Sequence, residues 1–475
     1  MIENTNPALQ VTDFISDVFY SVIIMTLQNR NKILTETLKR LLRRNALPNL
    51  KKIVNKTHAA DLSRVFSSLS ILQQVTLFRM VEDVDQKGIL LSELGDDVCI
   101  NLIEALKLED VIPVFEDMPS DDAADLLDKL PEEKADDILR KMKKEGSEEV
   151  EELLGYDADT AGGIMVPDFI ALREDMTAGE AIRSLQKEHM DVEMPFYLYV
   201  VDEYGKLVGV SSLRQLVVVA PDTPLREFMS TDVFSVRTDT DQEDVAKLVA
   251  RYDILAVPVV DDTNQLMGIV TVDDVIDIFR EEATEDILKM AGTGADSIET
   301  QSVFKSMKIR LPWLFASCIG GIAATFIISS FEETLSKVAY LAAFIPIVMG
   351  MGGNIGTQSS TIVVRGISTG LLDVRDIWSV VFKELSVGFL LGLTYGILIG
   401  TVAQVQHGIF ALGAAVAMAV ISSMSVAALV GSMVPMLFAK INVDPAVATG
   451  PFVTTSIDII AVFLYFQIAT LLLGL

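Results

Sequence analysis

The chain has 475 residues and a mass of 51.9 kDa; half of it is apolar, its mean hydropathy is +0.41, and yet its formal charge is -28. One core seldom holds so much chain, so about three domains are expected at ~150 residues each, with acid and grease kept apart. Residues 303–475 carry eight Lys/Arg and seven Asp/Glu, which leaves 30 of the 38 basic and 59 of the 66 acidic residues in 1–302. A surface at net -29 repels phosphate and excludes a nucleic-acid partner, pointing instead to cations.

No basic leader with an apolar run opens the chain, so a signal peptide is not expected. A Lys/Arg-rich helix is expected from about Thr12 to Leu47, followed by a basic stretch, Lys51 to Lys56, together forming an N-terminal extension over 1–55. Within 56–155, MPSDDAADLLDKL and LPEEKADDILRKM begin 12 residues apart. Each has a proline turn, an acidic first turn and an apolar stripe, which predicts a small helical solenoid with acidic ridges.

Between 156 and 279 the chain repeats itself. YVVDEYGKLVGVSSLRQLV (199–217) answers PVVDDTNQLMGIVTVDDVI (258–276) at an offset of 59, with Val200, Val201, Asp202, Leu207 and Gly209 recurring as Val259, Val260, Asp261, Leu266 and Gly268. Strand, turn, strand and helix are expected in each copy, giving two units over 156–218 and 219–279. From Val272 to Met290 a helix is expected by period, with Asp274, Asp277, Glu281 and Glu285 along one face and a polar linker running on to Ser302. Like charges at those spacings repel; a solvated surface is the ordinary reading, and divalent ions between facing carboxylates are the alternative that the position before a membrane region favours.

Five apolar spans follow, near 311–331, 338–364, 377–405, 409–439 and 446–475, each long enough to cross ~30 Å of hydrocarbon. Lys305, Lys308, Arg310, Arg365, Arg375 and Lys440 fall on one side and Lys337 on the other, so a cytoplasmic N-terminus and an external C-terminus are expected. Asp458 lies inside the last span, with Thr454 one turn before it. It reads as an ion-pathway carboxylate, or alternatively as a structural, hydrogen-bonded carboxyl. In PIVMGMGGNIGTQSST (346–361), glycines at 350, 352, 353 and 356 accompany Asn354, Thr357 and Gln358, readable as a packing seam or as oxygens for a hydrated cation. Asp444 marks the cytoplasmic boundary of the fifth span and is expected to be a metal-binding carboxylate there, and Lys383 with Glu384 are read as structural. Cys99 and Cys318, like His58, His189 and His407, are too scattered for a zinc site or a disulfide framework, so any metal should be a hard ion held by oxygens.

The repeat resembles a pair of cystathionine-β-synthase-type (CBS) domains. Together with five spans, GGNIGTQ and the TGPFVTT helix bearing Asp458, the order resembles the MgtE family of magnesium channels over most of residues 60–475. The resemblance implies a multidomain fold: an all-α superhelical N-domain (56–155), an α/β CBS pair, a connecting helix and linker (272–302), and an all-α polytopic membrane domain with five helices (303–475). It also implies a homodimer in the lipid bilayer of the cell membrane whose pore carries Mg2+ past Asp458 of each copy, with Asn354, Gln358 and carbonyls near Gly450 assisting. Cytosolic Mg2+ sensing is implied at Asp121, Asp125, Asp253, Asp274, Asp277, Glu282, Glu285 and Asp286. For a regulatory ATP, Tyr197 and Arg214 match, but Gln215 stands where the family pocket commonly has Asp, so the ribose carboxylate is missing. Neither a Walker-type loop nor a catalytic triad is present, so an enzyme is not expected. The runner-up function is a membrane-anchored nucleotide or ionic sensor without conduction.

Overall fold

The computed structural model describes residues 31–188, 196–294, 302–447 and 449–474. The expected basic helix before residue 31, His189 and positions 295–301 of the expected linker lie outside them. The chain forms two compact units, Met1–Ile276 and Asp277–Leu475.

In the first unit, α1 (31–43) stops at Asn45, whose φ of 52° is left-handed. It does not continue to Leu47: Pro48 opens α2 (Leu47–Val54), which takes in most of the basic stretch Lys51 to Lys56. Eight short helices follow: α3 (Ala59–Phe66), α4 (Ile71–Phe78), α5 (Val84–Ser92), α6 (Asp96–Ala105), α7 (Leu108–Phe115), α8 (Ser120–Asp128), α9 (Glu132–Leu139) and α10 (Lys144–Leu153). Helices this short are marginal alone. They persist because each buries one stripe, such as Leu62, Val65 and Phe66 on α3 or Val111, Val114 and Phe115 on α7. Alternate helices pack on each other (α2 on α4, α3 on α5, α8 on α10), which is the superhelical stacking read from the sequence.

The repeat becomes two three-stranded sheets. The first has β1 (Ala171–Arg173) parallel to β2 (Tyr197–Val201) and β2 antiparallel to β3 (Leu207–Ser212), with α11 (Ala178–Glu188), α12 (Leu213–Val218) and α13 (Leu225–Phe228). The second repeats the plan with β4 (Val236–Arg237), α14 (Gln242–Tyr252), β5 (Ala256–Val260), β6 (Leu266–Thr271) and then α15 (Val272–Met290). The recurring residues have matching duties. Asp202 accepts the N–H groups of Tyr204 and Lys206 at 2.8 and 2.9 Å, and Asp261 those of Thr263 and Gln265 at 2.8 and 2.7 Å, so each folds its own hairpin turn. Gly209 and Gly268 sit under methionines: an added Cβ would lie 2.6 Å from Met229 Sδ and 2.8 Å from Met165 Cγ.

The second unit begins within α15 and continues with α16 (Val303–Ser330), α17 (Glu332–Lys337), α18 (Leu341–Ser368), α19 (Ile377–His407), α20 (Phe410–Lys440) and α21 (Gly450–Leu473). Among the described residues four stretches, Val303–Ser330, Val374–His407, Phe410–Lys440 and Gly450–Leu473, are long and apolar enough to cross a membrane. The count of five expected from the sequence includes α18, which has the length, 28 residues, but is diluted by glycines and amides and is not among the four. The last helix starts at Gly450, not 446: before it, Asp444 accepts the Ala446 N–H at 2.7 Å and the Thr449 hydroxyl donates to Ala446 O at 2.8 Å. Helix α20 packs against α18, α19 and α21. Its seam with α19 is set by Gly388, Gly392, Gly396 and Gly400, one per turn; a Cβ at Gly396 would lie 2.7 Å from Ala417 O.

Candidate ion pathway and acidic surfaces

Asp458 is the ninth residue of α21, about 12 Å along it from Gly450 and so nearer the boundary than a span starting at 446 implied. Among the described residues it has neither a hydrogen bond nor an ion pair. Its carboxylate faces Gly353 of α18, where a Cβ would lie 3.9 Å from Oδ1. Thr454 does not serve it; its hydroxyl donates back to Gly450 O at 3.1 Å.

The glycines of α18 divide by face. Gly352 and Gly356 are buried packing positions, against Ser423 and Ile457 respectively, whereas a Cβ on Gly350 would meet nothing. Asn354, Thr357 and Gln358 are all exposed, on the same side of the helix one turn apart. A polar stripe therefore faces outward from the bundle beside Asp458. The two readings of the motif, packing seam and polar lining, occupy opposite sides of one helix.

Gly450 stands elsewhere. A Cβ there would meet Met290 O at 2.7 Å, and one on Gly292 (φ 72°) would meet Pro451 Cγ at 2.8 Å, so the end of α15 abuts the start of α21. The Gly450 carbonyl is not brought to Asp458.

At that junction Lys289 Nζ lies 2.7 Å from Asp444 Oδ2 and also pairs with Glu285. The other Asp444 oxygen accepts the Ala446 N–H at 2.7 Å. Burial opposes the charge on Lys289, but these two partners outweigh it and hold the ammonium above its ordinary pKa. Asp286 accepts a hydrogen bond from Ser368 at 2.7 Å. Its carboxyl is raised by burial, with Ser368 opposing and the Asp444 charge adding.

In the first unit, Asp121 and Asp125 lie in α8 and Asp253 caps α14 in a left-handed conformation (φ 52°). Asp274 has a role that sequence reasoning missed. It is the third residue of α15 and accepts both the N–H and the hydroxyl of Thr271, reaching back over the start of the helix as one half of a capping box does. Burial pushes its pKa up to about 6; Thr271 opposes this, and the charges of Asp273 and Asp122 add to it. Asp122 was not singled out from sequence, yet this neighbour of Asp121 is the α8 carboxylate that Asp274 feels. Asp277 and Glu281 are exposed, while Glu282 and Glu285 are half-buried. Among the described residues no three His, Cys, Asp or Glu side chains converge as a ready-made metal cage. The donors are carboxylates throughout, the chemistry of a hard, hydrated cation.

Tyr197 begins β2 opposite Ser212, and Arg214 is exposed in the first turn of α12. Gln215 caps that helix, accepting the Ser212 N–H at 2.9 Å. It is the counterpart, 59 residues earlier, of Asp274.

Residues 345–468 match the family model for an MgtE divalent cation transporter, 57–159 an MgtE intracellular N domain, and 161–222 and 225–281 CBS domains. The magnesium transporter MgtE of Thermus thermophilus is 42% identical over 328 residues, covering 68% of this chain and 72% of the relative. That of Bacillus subtilis is 38% identical over 324 residues, with 68% and 72% covered. A crystal structure of the cytosolic domain of the Mg2+ channel MgtE in complex with ATP has 35% identity, covering 51% of this chain and 99% of that one, at a TM-score of 0.49. The relatives are named as transporters and not as enzymes, and with its N domain, CBS pair and apolar helices in that order, this chain belongs to the MgtE family of magnesium transporters.

Proposed function

We propose that this chain is a homodimeric, Mg2+-selective channel that admits Mg2+ down its electrochemical gradient and is closed by Mg2+ on its cytosolic acidic surfaces. The observation that carries this reading is the unpartnered carboxylate of Asp458 beside the outward-facing stripe Asn354, Thr357 and Gln358. In lipid such groups cost a few kcal/mol each. A second copy laid against the same face encloses them instead, pairing two carboxylates around one hydrated ion with amide oxygens along the wall. An inside-negative potential supplies ~2.3 kcal/mol per charge per 100 mV, twice that for a divalent ion, so no energy-coupling site is needed.

For the gate, Asp122 and Asp274 within the first unit, and Asp286 and Asp444 within the second, are like charges held near one another. Divalent ions relieve that repulsion and favour the compact arrangement, and their loss reopens it. Asp121, Asp125, Asp253, Asp277, Glu282 and Glu285 belong to the same proposal as carboxylates of these surfaces. The same proposal assigns a regulatory ATP to Tyr197 and Arg214, without a ribose carboxylate at Gln215.

The test is flux. Purified protein in liposomes under an inside-negative potential should take up Mg2+, and Asp458→Asn should reduce uptake at least a hundredfold while remaining a dimer. Undiminished uptake by that variant removes the pore and leaves the anchored sensor.

A further inference from the structure

Asp444 meets a cation that belongs to the chain. Lys289 Nζ holds its Oδ2 at 2.7 Å across 155 residues of sequence, while Glu285, one turn earlier on α15, pairs with the same ammonium. The second Asp444 oxygen is committed to the Ala446 N–H. Asp444 thus has both oxygens engaged, and the Lys289 and Asp444 side chains are only 27% and 34% exposed, shielded enough for the pair to be more than a screened surface contact. A hydrated divalent ion binds through one or two carboxylates and keeps most of its waters, so the Glu285–Asp444 pair is the right kind of donor set. The same space does not hold both the ion and the ammonium without strong repulsion.

We infer that Lys289 is the resident cation of the Glu285–Asp444 pair, which a divalent ion must displace, so that this side chain sets the Mg2+ concentration at which α15 becomes fixed to the membrane domain. The inference rests on the closed-by-Mg2+ reading above. It differs from the plainer role of a strut. A strut stabilises the compact form at every Mg2+ concentration, so its removal demands more Mg2+. A resident competitor delays the ion, so its removal demands less.

The direction decides between them. Full-length protein in detergent is titrated with MgCl2, and protection of the cytosolic region from chymotrypsin, whose cleavage sites the substitutions leave unchanged, is followed by gel. The Lys289→Gln variant should be protected at a Mg2+ concentration on the order of tenfold lower than wild type. Lys289→Arg, which keeps the charge, should stay near wild type, and adding Asp444→Asn to Lys289→Gln should cancel the gain. A Lys289→Gln midpoint equal to or above that of wild type overturns the proposal, provided Lys289→Arg is dimeric and protected. Wild type that Mg2+ fails to protect sinks the gating reading itself, and this inference with it.

Discussion

Asp274 offers the sharpest test of the idea that acidic surfaces are held under strain. Its carboxyl is displaced from 3.8 to about 6, mostly by burial. That displacement corresponds to about 3 kcal/mol, from which water around this half-buried group subtracts a share. The folded chain keeps its proton up to about pH 6, whereas the unfolded chain releases it near 3.8, so stability falls as pH rises between those values. The full penalty is present above about 6. Asp274→Asn removes the charge yet keeps an oxygen to accept from Thr271, so that contact survives. At pH 7.5 without Mg2+, the variant should gain about 1–2 kcal/mol, read as an unfolding transition of the first unit roughly 2–8 °C higher. Wild type should climb by a similar amount on going from pH 7.5 to 5, and the variant should not. Because an ion bound at the carboxylate offsets the same penalty, Mg2+ should also raise the transition less in Asp274→Asn than in wild type. A variant that melts lower at pH 7.5, or one with an unchanged pH slope, refutes the reasoning.

Two further outcomes follow from packing. Glu384 of α19 is 5% exposed and accepts from Ser359 Oγ of α18 at 2.9 Å; Glu384→Leu leaves that hydroxyl without its acceptor and should cost about 1–3 kcal/mol, read as faster thermal aggregation in detergent, whereas Glu384→Gln should be near neutral. Gly268→Ala forces a Cβ to within 2.8 Å of Met165 Cγ and 2.9 Å of Val166 O, and should lower the unfolding temperature of the first unit by several degrees, consistent with the 1–3 kcal/mol typical of overpacking; an unchanged temperature means the methionine yields freely.

The repeat at an offset of 59 was legible because its residues do local work: the aspartates fold their own turns and the glycines admit a methionine, duties that recur wherever the motif recurs. Helix positions in the membrane region were likewise readable from long apolar runs, since a segment that crosses lipid must satisfy its own backbone. What sequence did not give depends on partners distant in the chain. Glu384 sits beside Lys383 and reads as an interfacial pair, but Ser359, 25 residues earlier, decides that it is buried. Asp274 reads as one of a row of acids on α15, and the adjacent Thr271 makes it a capping residue as well; here the Thr-x-x-Asp spacing was a signal available in sequence. Asp444 reads from sequence as a boundary carboxylate alone, and nothing near it in the chain announces its pairing with Lys289, 155 residues earlier.

The junction of α15 with α21 explains how charge near the boundary bears on Asp458. Gly450 and Gly292 bring the carbonyl end of one helix against the amino end of the other with no side chain between them, Met290 O lying where a Cβ would be and Pro451 closing over Gly292. Opposite ends of the two helix dipoles meet there, which favours the contact. From Gly450 to Asp458 the chain is continuous helix, about 12 Å long, and a helix that short does not absorb a displacement by bending. A shift at the end of α15 therefore reaches the carboxylate as a rigid movement of the first two turns of α21. Glu285, Asp286 and Lys289 all lie within about two turns of that end, so a change of charge among them acts on a contact at the start of the helix that carries Asp458.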